Sequence, residues 1–428
     1  MLNLKTKLMP LKILFLNSSY TPNFVSGAER VVQRLAELLV DRGNQAVVIT
    51  GQPKGEREIR DINGVRIIYT PVRNLYRPLT TQSGAASAPI KAIWHLQDSY
   101  NTRMAHDVAQ VVDEETPDVV NTHNLMGFSS AVIGAVRHKG VPVAHTIHDQ
   151  YLLCPRSTMF RDGDNCARQC VICKAYAIPR KLSTRQVNAV IGVSQFVLER
   201  HISFGHFPTA ARHVIHNGID VDEEWARGAR DVRQKFRFGF LGQIKPTKGL
   251  EQLIDAFLLM GMRQAELHIG GRGDETYERR LRDKTAENHE ITWHGHVNAR
   301  GFLRSIDVLV VPSLWHDTAP LVLMEALKEG TPVLGSSRGG IPEFITEETG
   351  WMYDPSNPSA LRRSLEDCIK SIARLPDMSR ASQRVAKNFN ERAFVDAYLR
   401  VFEGLHLGGR KSERSSQNTS SFGPRSHI

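Results

Sequence analysis

Short apolar runs alternate with amphipathic helical stretches along most of the chain. Lys12-Ile13-Leu14-Phe15-Leu16-Asn17 is an apolar run ending in polar turn residues, as expected of a strand buried on both faces. Val31, Val32, Leu35, Leu38 and Leu39 then recur at helical spacing, and Gly43-Asn44 ends that helix before Ala46-Val47-Val48-Ile49 begins the next strand. This is a βαβ unit of ordinary length. Further strands are predicted at Val65–Tyr69, Asp118–Thr122, Val141–Ile147 and Ala189–Val193. Nearly all end in small or polar residues, where α/β proteins build their sites. The Pro-, Thr-, Ser- and Gly-containing stretch from Arg77 to Pro89 predicts a mobile loop.

A second series follows His216-Asn217-Gly218, with strands predicted at Phe238–Leu241, Leu267–Ile269, Asp307–Val311 and Val333–Leu334. The pattern implies an α/β protein of two Rossmann-like domains with parallel sheets facing a central cleft, a usual place for a ligand. Residues 1–10 read as an extension, 11–208 as the first domain and 209–385 as the second. Residues 386–407 read as a helix returning to the first domain. The Ser-, Arg- and Gly-rich stretch 408–428 reads as a disordered tail.

The bulk figures change this picture little. A chain of 428 residues, 41% hydrophobic and 23% charged, is long enough for two packed domains. The formal charge of +10 fits phosphorylated ligands or an anionic membrane surface. It does not favour nucleic acid, because the charge is dispersed and no aromatic-plus-basic motif accompanies it. No run is apolar enough to span a bilayer, and Met1–Pro10 lacks the core of a signal peptide. A cytoplasmic protein is expected, with peripheral contact at the inner face of the membrane as an additional reading.

The candidate chemistry is concentrated in the second half. Gly242 ends a strand, and Lys248-Gly249 precedes a helix marked by Leu250, Leu253, Ile254 and Phe257. A glycine turn lets backbone approach a phosphate, and a helix N-terminus and a lysine both favour its charge. A tight turn with a solvated lysine explains the same residues equally well. Glu325, in a helix predicted over Pro320–Glu329, and Asp317 in the preceding loop suit ribose or sugar hydroxyls. Taken alone they fit a surface glutamate and a helix cap just as well.

The order of the motifs separates these alternatives. Val214-Ile215-His216-Asn217-Gly218-Ile219-Asp220, Phe240-Leu241-Gly242 with Lys248-Gly249, Gly271-Arg272-Gly273 and Trp293-His294-Gly295 come first. Asp307-Val308 through Val311-Pro312-Ser313, Pro320-Leu321-Val322 through Glu325-Ala326, Gly330-Thr331-Pro332-Val333 and Gly339-Gly340-Ile341-Pro342-Glu343 follow. This series resembles the C-terminal domain of family 4 of the retaining glycosyltransferases, which have the GT-B fold. Ser26-Gly27-Ala28-Glu29, Thr146-Ile147-His148-Asp149 and Gly192-Val193-Ser194 extend the resemblance into the first half.

The resemblance implies transfer of a hexose-type sugar from a nucleoside-diphosphate sugar to a hydroxyl of a glycan or lipid-linked acceptor, in polysaccharide or glycolipid synthesis. It implies that no divalent metal is required at the diphosphate. Lys248 would bind the diphosphate, Glu325 the ribose, and the backbone near Trp293–His296 the base. Gly27, Gly242, Gln243, Gly271, His294, Pro320, Leu321 and Val322 complete the implied donor site. His148, Asp317 and Lys248 stand nearest the chemistry. Two positions depart from the family pattern. Gln243 stands where many members have arginine, so Lys245 or Arg272 is a candidate replacement cation. Asp317 stands where glutamate is usual, which withdraws the carboxylate by roughly 1.5 Å on covalent geometry. A nucleotide-sugar epimerase of the same fold and a non-catalytic nucleotide-sugar-binding member are the competing readings.

Cys154, Cys166, Cys170 and Cys173 fall close together after His148-Asp149. Four thiolates suit a structural zinc or an iron–sulfur cluster, although the spacing is not that of a standard zinc knuckle; free or redox-active thiols are the alternative. Arg156, Arg161, Arg168, Lys174, Arg180, Lys181 and Arg185 surround them. They read as a solvated face or as a patch for anionic lipid.

Overall fold

A computed structural model describes residues 9–22, 27–52, 55–76, 86–221, 235–261 and 264–420, with backbone only over 409–420. The first sheet contains β1 (Lys12–Asn17), β2 (Gln45–Gln52), β3 (Glu58–Ile62), β4 (Val65–Pro71), β5 (Val119–Thr122) and β6 (Val143–Ile147). A small antiparallel hairpin, β7 (Phe160–Arg161) and β8 (Asp164–Asn165), lies outside it, and β9 (Ala189–Gly192) and β10 (Ala211–Val214) complete the sheet. The second sheet contains β11 (Phe236–Leu241), β12 (Ala265–Gly270), β13 (Ile291–Gly295), β14 (Val308–Val311), β15 (Val333–Ser336) and β16 (Gly350–Tyr353).

The orders are β10-β9-β6-β5-β1-β2-β4-β3 and β13-β12-β11-β14-β15-β16. Every pairing in the two sheets is parallel except β3 with β4. Strand order therefore reverses beside β1 and beside β11. Crevices open at the carboxyl ends of the strands at such switch points. Asn17, His123 and His148 follow or end β1, β5 and β6, while Gly242 and Pro312-Ser313 follow β11 and β14. The topology thus gathers residues distant in sequence at two facing sheet ends.

The central strands, such as β1, β2, β5, β6, β14 and β15, are buried along nearly their whole length because helices cover both faces. One apolar cluster runs from Leu14, Val120 and Ile147 of the first sheet to Leu309, Leu323 and Ile341 of the second domain. A second cluster joins Ile13, Phe15 and Val119 to Phe394, Val395, Tyr398 and Phe402 of the last helix, Glu391–Ser420. That helix continues through residues 408–420, where composition predicted a disordered tail. Packing of its first turns nucleates it, and each further residue then adds one hydrogen bond at little extra cost. Residues 421–428 lie outside the described residues, as do 77–85 of the predicted mobile loop; Ala88–Ser99, beyond that loop, is a helix. β10 pairs with β9, so the first sheet extends past residue 208 to Val214.

A buried ion pair ties the first domain together. Arg180, fully buried on the helix Val171–Thr184, meets Asp98 Oδ2 at 3.3 Å, donates to the Tyr151 carbonyl and lies over the Tyr151 ring. Asp98 also accepts from the Tyr151 hydroxyl at 2.7 Å and the Gly127 amide at 2.6 Å. Burial raises the Asp98 pKa, against the pull of these three partners. Arg180 therefore does not belong to the expected basic patch; it is a core residue. Arg180→Met should leave a buried, unpaired carboxyl and lower unfolding free energy by about 3 kcal/mol, measured by urea denaturation.

Candidate active site

The paired lysine and carboxylate, Lys248 and Asp317, are built from two strand ends. Lys248 lies in a single helical turn, Pro246–Lys248, after β11. Gly249 follows at φ 72°, and a Cβ there would sit 1.9 Å from the Pro312 carbonyl oxygen. Only glycine allows the helix Leu250–Met260 to start so close to the loop after β14. That approach places Lys248 Nζ against Asp317 Oδ2, and the Ser313 hydroxyl donates to the same oxygen at 3.2 Å. Asp317 is buried and Lys248 half-buried. The Asp317 carboxylate, which the resemblance sets near the chemistry, is engaged by Lys248 and Ser313.

Gly271, at φ 127°, brings the end of β12 against Gly242, since a Cβ there would sit 1.8 Å from the Gly242 carbonyl oxygen. Gln243 follows, partly buried. His294, exposed on the edge strand β13, stacks on His268 with Nε2 3.0 Å from His268 Nδ1.

The helix Leu321–Lys328 begins at Pro320 without a side-chain cap, leaving its first amides available. Leu321 packs on Gly27 of the first domain: a Cβ at Gly27 would meet Leu321 Cδ1 at 2.8 Å. One turn on, Glu325 lies 3.8 Å from Arg30 Nη1 across the cleft. Burial raises the Glu325 pKa, with Arg30 and Lys328 opposing. Arg30, Gly218, Leu321, Glu325 and Lys328 line a cleft of about 310 Å³. Arg30 was not singled out from sequence, although it directly follows the Ser26–Glu29 motif.

On the first-domain side, His148 is half-buried and its Nε2 lies 2.9 Å from His123 Nδ1. Enclosure lowers the His148 pKa to about 4, so the ring is neutral near neutral pH. Burial also raises neighbouring Asp149 to about 6, although its carboxylate accepts from the Tyr151 amide at 2.7 Å. His123 is a further residue that motif matching missed; its signal was its place directly after β5.

The segment from Ser313 to Thr318 joins the two sides. The Thr318 hydroxyl donates to the His148 carbonyl at 2.7 Å. Asn165 of β8 donates to the Leu314 carbonyl at 2.7 Å and accepts from the His316 amide at 2.8 Å. Gln150 reaches the His316 carbonyl at 3.4 Å. Nearby, Glu343 of the second domain accepts from the Gln195 and Phe196 amides, each at 2.8 Å, at the N-terminus of the helix Gln195–Ser203. Burial alone would raise the Glu343 pKa, but His216 and the two amides outweigh it and hold it below the usual range.

The four loop cysteines do not assemble the expected metal centre. All are free thiols, and among the described residues no three His, Cys, Asp or Glu side chains are placed to hold a metal. Cys154 and Cys173 lie 3.7 Å apart within a small apolar cluster with Leu153 and Met159. Exposed Cys170 instead caps a helix, its sulfur accepting from the Cys173 amide at 3.4 Å. The loop is held by packing, by Asn165, and by Arg200, which donates to the Cys166 carbonyl at 2.7 Å.

Solved structures with the same architecture include sucrose-phosphate synthase from Thermosynechococcus elongatus, with a TM-score of 0.72 and 17% identity over 93% of this chain and 100% of that one. HepE of Anabaena, solved with UDP and glucose, matches with a TM-score of 0.65 and 18% identity over 92% of this chain and all of its own. These likenesses define a GT-B fold. The model described as Glycosyltransferase Family 4 matches residues 25–223, and that described as Glycosyl transferases group 1 matches residues 235–371. The chain belongs to the group 1, family 4 glycosyltransferases and is an enzyme of that family. An uncharacterized protein of the cps region of Klebsiella pneumoniae is 26% identical over 92% of this chain and its whole length. An uncharacterized glycosyltransferase of Methanocaldococcus jannaschii is 28% identical over 82% of this chain and 87% of its own.

Asn165→Ala should leave thermal stability nearly unchanged and lower the rate of transfer about tenfold by freeing the 314–316 backbone. Sugar-transfer kinetics beside a melting curve provide the check.

Proposed function

We propose that the chain transfers a hexose-type sugar, with retention of configuration, from a nucleoside-diphosphate sugar to a hydroxyl of a glycan or lipid-linked acceptor in surface-polysaccharide synthesis. The observation that carries this reading is the meeting of Arg30 of the first domain with Glu325 of the second across the interdomain cleft, one turn after the uncapped N-terminus at Leu321-Val322. Lys248 and the Leu321 and Val322 amides suit a diphosphate. Glu325, facing the cleft, suits the two hydroxyls of a ribose. The HepE structure contains UDP and glucose, and the starch synthase IV structure from Arabidopsis thaliana contains ADP and acarbose, which supports a nucleoside-diphosphate donor. The Klebsiella relative's cps region supports the polysaccharide context.

In the reaction, the bond from the anomeric carbon to the diphosphate oxygen breaks. The acceptor oxygen bonds to the same face, and its proton passes to the departing diphosphate. The protein supplies charge stabilisation and position. Lys248, neutralised by Asp317 in the free enzyme, turns toward the diphosphate as negative charge develops there. Neutral His148, fixed by His123, is set to hydrogen-bond a hydroxyl of the transferred sugar. The anchored Ser313–Thr318 segment keeps these groups in register.

Lys248→Ala should lower kcat/KM for sugar transfer about a hundredfold or more, read as nucleoside-diphosphate release with a lysate-derived acceptor. No release by the wild type with any donor would overturn the proposal. Glu325 gives a pH signature. Its raised pKa means that acidification protonates it earlier than an ordinary glutamate, removing an acceptor from the ribose. Nucleoside-diphosphate affinity should therefore fall as pH drops through that pKa, and Glu325→Gln should flatten this part of the profile in calorimetric titrations.

A further inference from the structure

We propose that the outer faces of the helices Ala88–Ser99 and Val171–Thr184 form a docking surface for an anionic lipid bilayer. An amphipathic helix of a globular domain ordinarily turns its apolar stripe inward. Val171–Thr184 does the reverse. Its buried residues are Ala177, Arg180, Ser183 and Thr184. Val171, Ala175, Ile178 and Leu182 recur at i, i+4, i+7 and i+11 and form one exposed stripe, with Val171 84%, Ile178 60% and Leu182 53% exposed.

The neighbouring helix continues the face. The Tyr176 hydroxyl donates to the Ala92 carbonyl at 3.1 Å, which sets the two helices side by side. Ala88–Ser99 exposes Ile90, Ile93 and Leu96, and Tyr100 follows. Seven of the fifteen exposed large apolar side chains among the described residues lie on this pair and Tyr100 directly follows it, so the exposure is clustered rather than scattered. The orientation is fixed from beneath, because Arg180 of one helix and Asp98 of the other form the fully buried ion pair.

Charge selects the occupant. Lys174, Lys181 and Arg185 stand exposed along one flank of the stripe, and the sole carboxylate of either helix, Asp98, is buried. A second copy of the chain would bring the same cations face to face. An anionic lipid surface complements them and accepts the apolar side chains. The helix Val171–Thr184 starts shortly after Asn165, the residue that grips the 314–316 backbone. A docked bilayer would therefore lie on the same side of the first domain as the cysteine loop that borders the cleft. The inference rests on the proposed transfer only for the use of this surface, the presentation of a lipid-linked acceptor.

Flotation of the full chain with phosphatidylcholine vesicles, with and without phosphatidylglycerol, tests the surface. The wild type should float with the anionic vesicles and lose that binding as salt rises. Ile178→Asp with Leu182→Asp, and separately Lys174→Glu with Lys181→Glu, should each reduce vesicle binding about tenfold or more, with the melting midpoint unchanged. If the aspartate variant melts early, Val171→Ser with Ile172→Ser repeats the test at the most exposed positions. A wild type that stays with the lipid-free fraction overturns the proposal, as do apolar variants that float like the wild type. A dimer abolished by the apolar changes, without vesicle binding, would assign the face to self-association. Nucleoside-diphosphate release is read in the same samples. Intact release without flotation refutes docking alone, and flotation without release refutes the transfer reading alone.

Discussion

The geometry of the cleft depends on one segment that both domains hold. Ser313–Thr318 leaves the second sheet at β14, gives Asp317 to Lys248, and is hydrogen-bonded across the interface to His148, Gln150 and Asn165. Backbone in this position must find partners for its polar groups once water is excluded. Those partners come from both domains: the Thr247 carbonyl of the second accepts from the Leu314 amide, while Asn165 and Gln150 of the first bond the Leu314 and His316 backbone, so the Lys248–Asp317 pair and the histidine side are linked through one segment. A shift of either domain would move both.

The support for this segment is layered. Gly249 brings the Lys248 turn against Pro312. Glu343 caps a helix of the opposite domain through two amides, a charge-assisted contact at the positive end of the helix dipole. On the first-domain side, Arg180, Asp98 and Tyr151 hold the chain that follows His148 and Asp149. The same buried pair turns the helix Val171–Thr184 apolar side outward. One desolvated ion pair thus serves both the cleft and the surface beside it.

Much of this was legible in the sequence, for definite reasons. Parallel strands covered on both faces are near-continuous apolar runs, so β1, β2, β5, β6, β11, β12, β14 and β15 were visible as such. β3 was not, because Glu58-Ile59-Arg60-Asp61-Ile62 is a largely exposed edge strand. The Asn63-Gly64 turn that closes its hairpin, with both residues at positive φ, was a signal passed over. Lys248, Asp317, Glu325 and Gly27 follow from ordered motifs; the fold pairs Lys248 with Asp317 and sets Gly27 against Leu321, one turn before Glu325. Arg30 and His123 carry no motif of their own. Arg180 misled because charge is normally solvent-exposed, and only the topology that places Asp98 beneath it reverses that expectation. The cysteine spacing leaves a metal centre and free thiols both open; in the fold all four are free thiols, with Cys154 and Cys173 3.7 Å apart and Cys170 capping a helix.

A nucleoside diphosphate bound in the cleft should close on the segment that both domains hold. Amide hydrogen exchange, with UDP, GDP and ADP added in turn, tests this directly. The nucleotide that binds should slow exchange at Ser313–Thr318 and at Leu321-Val322, with smaller effects elsewhere. Slowing confined to other regions, with these amides unchanged under saturating nucleotide, would contradict it.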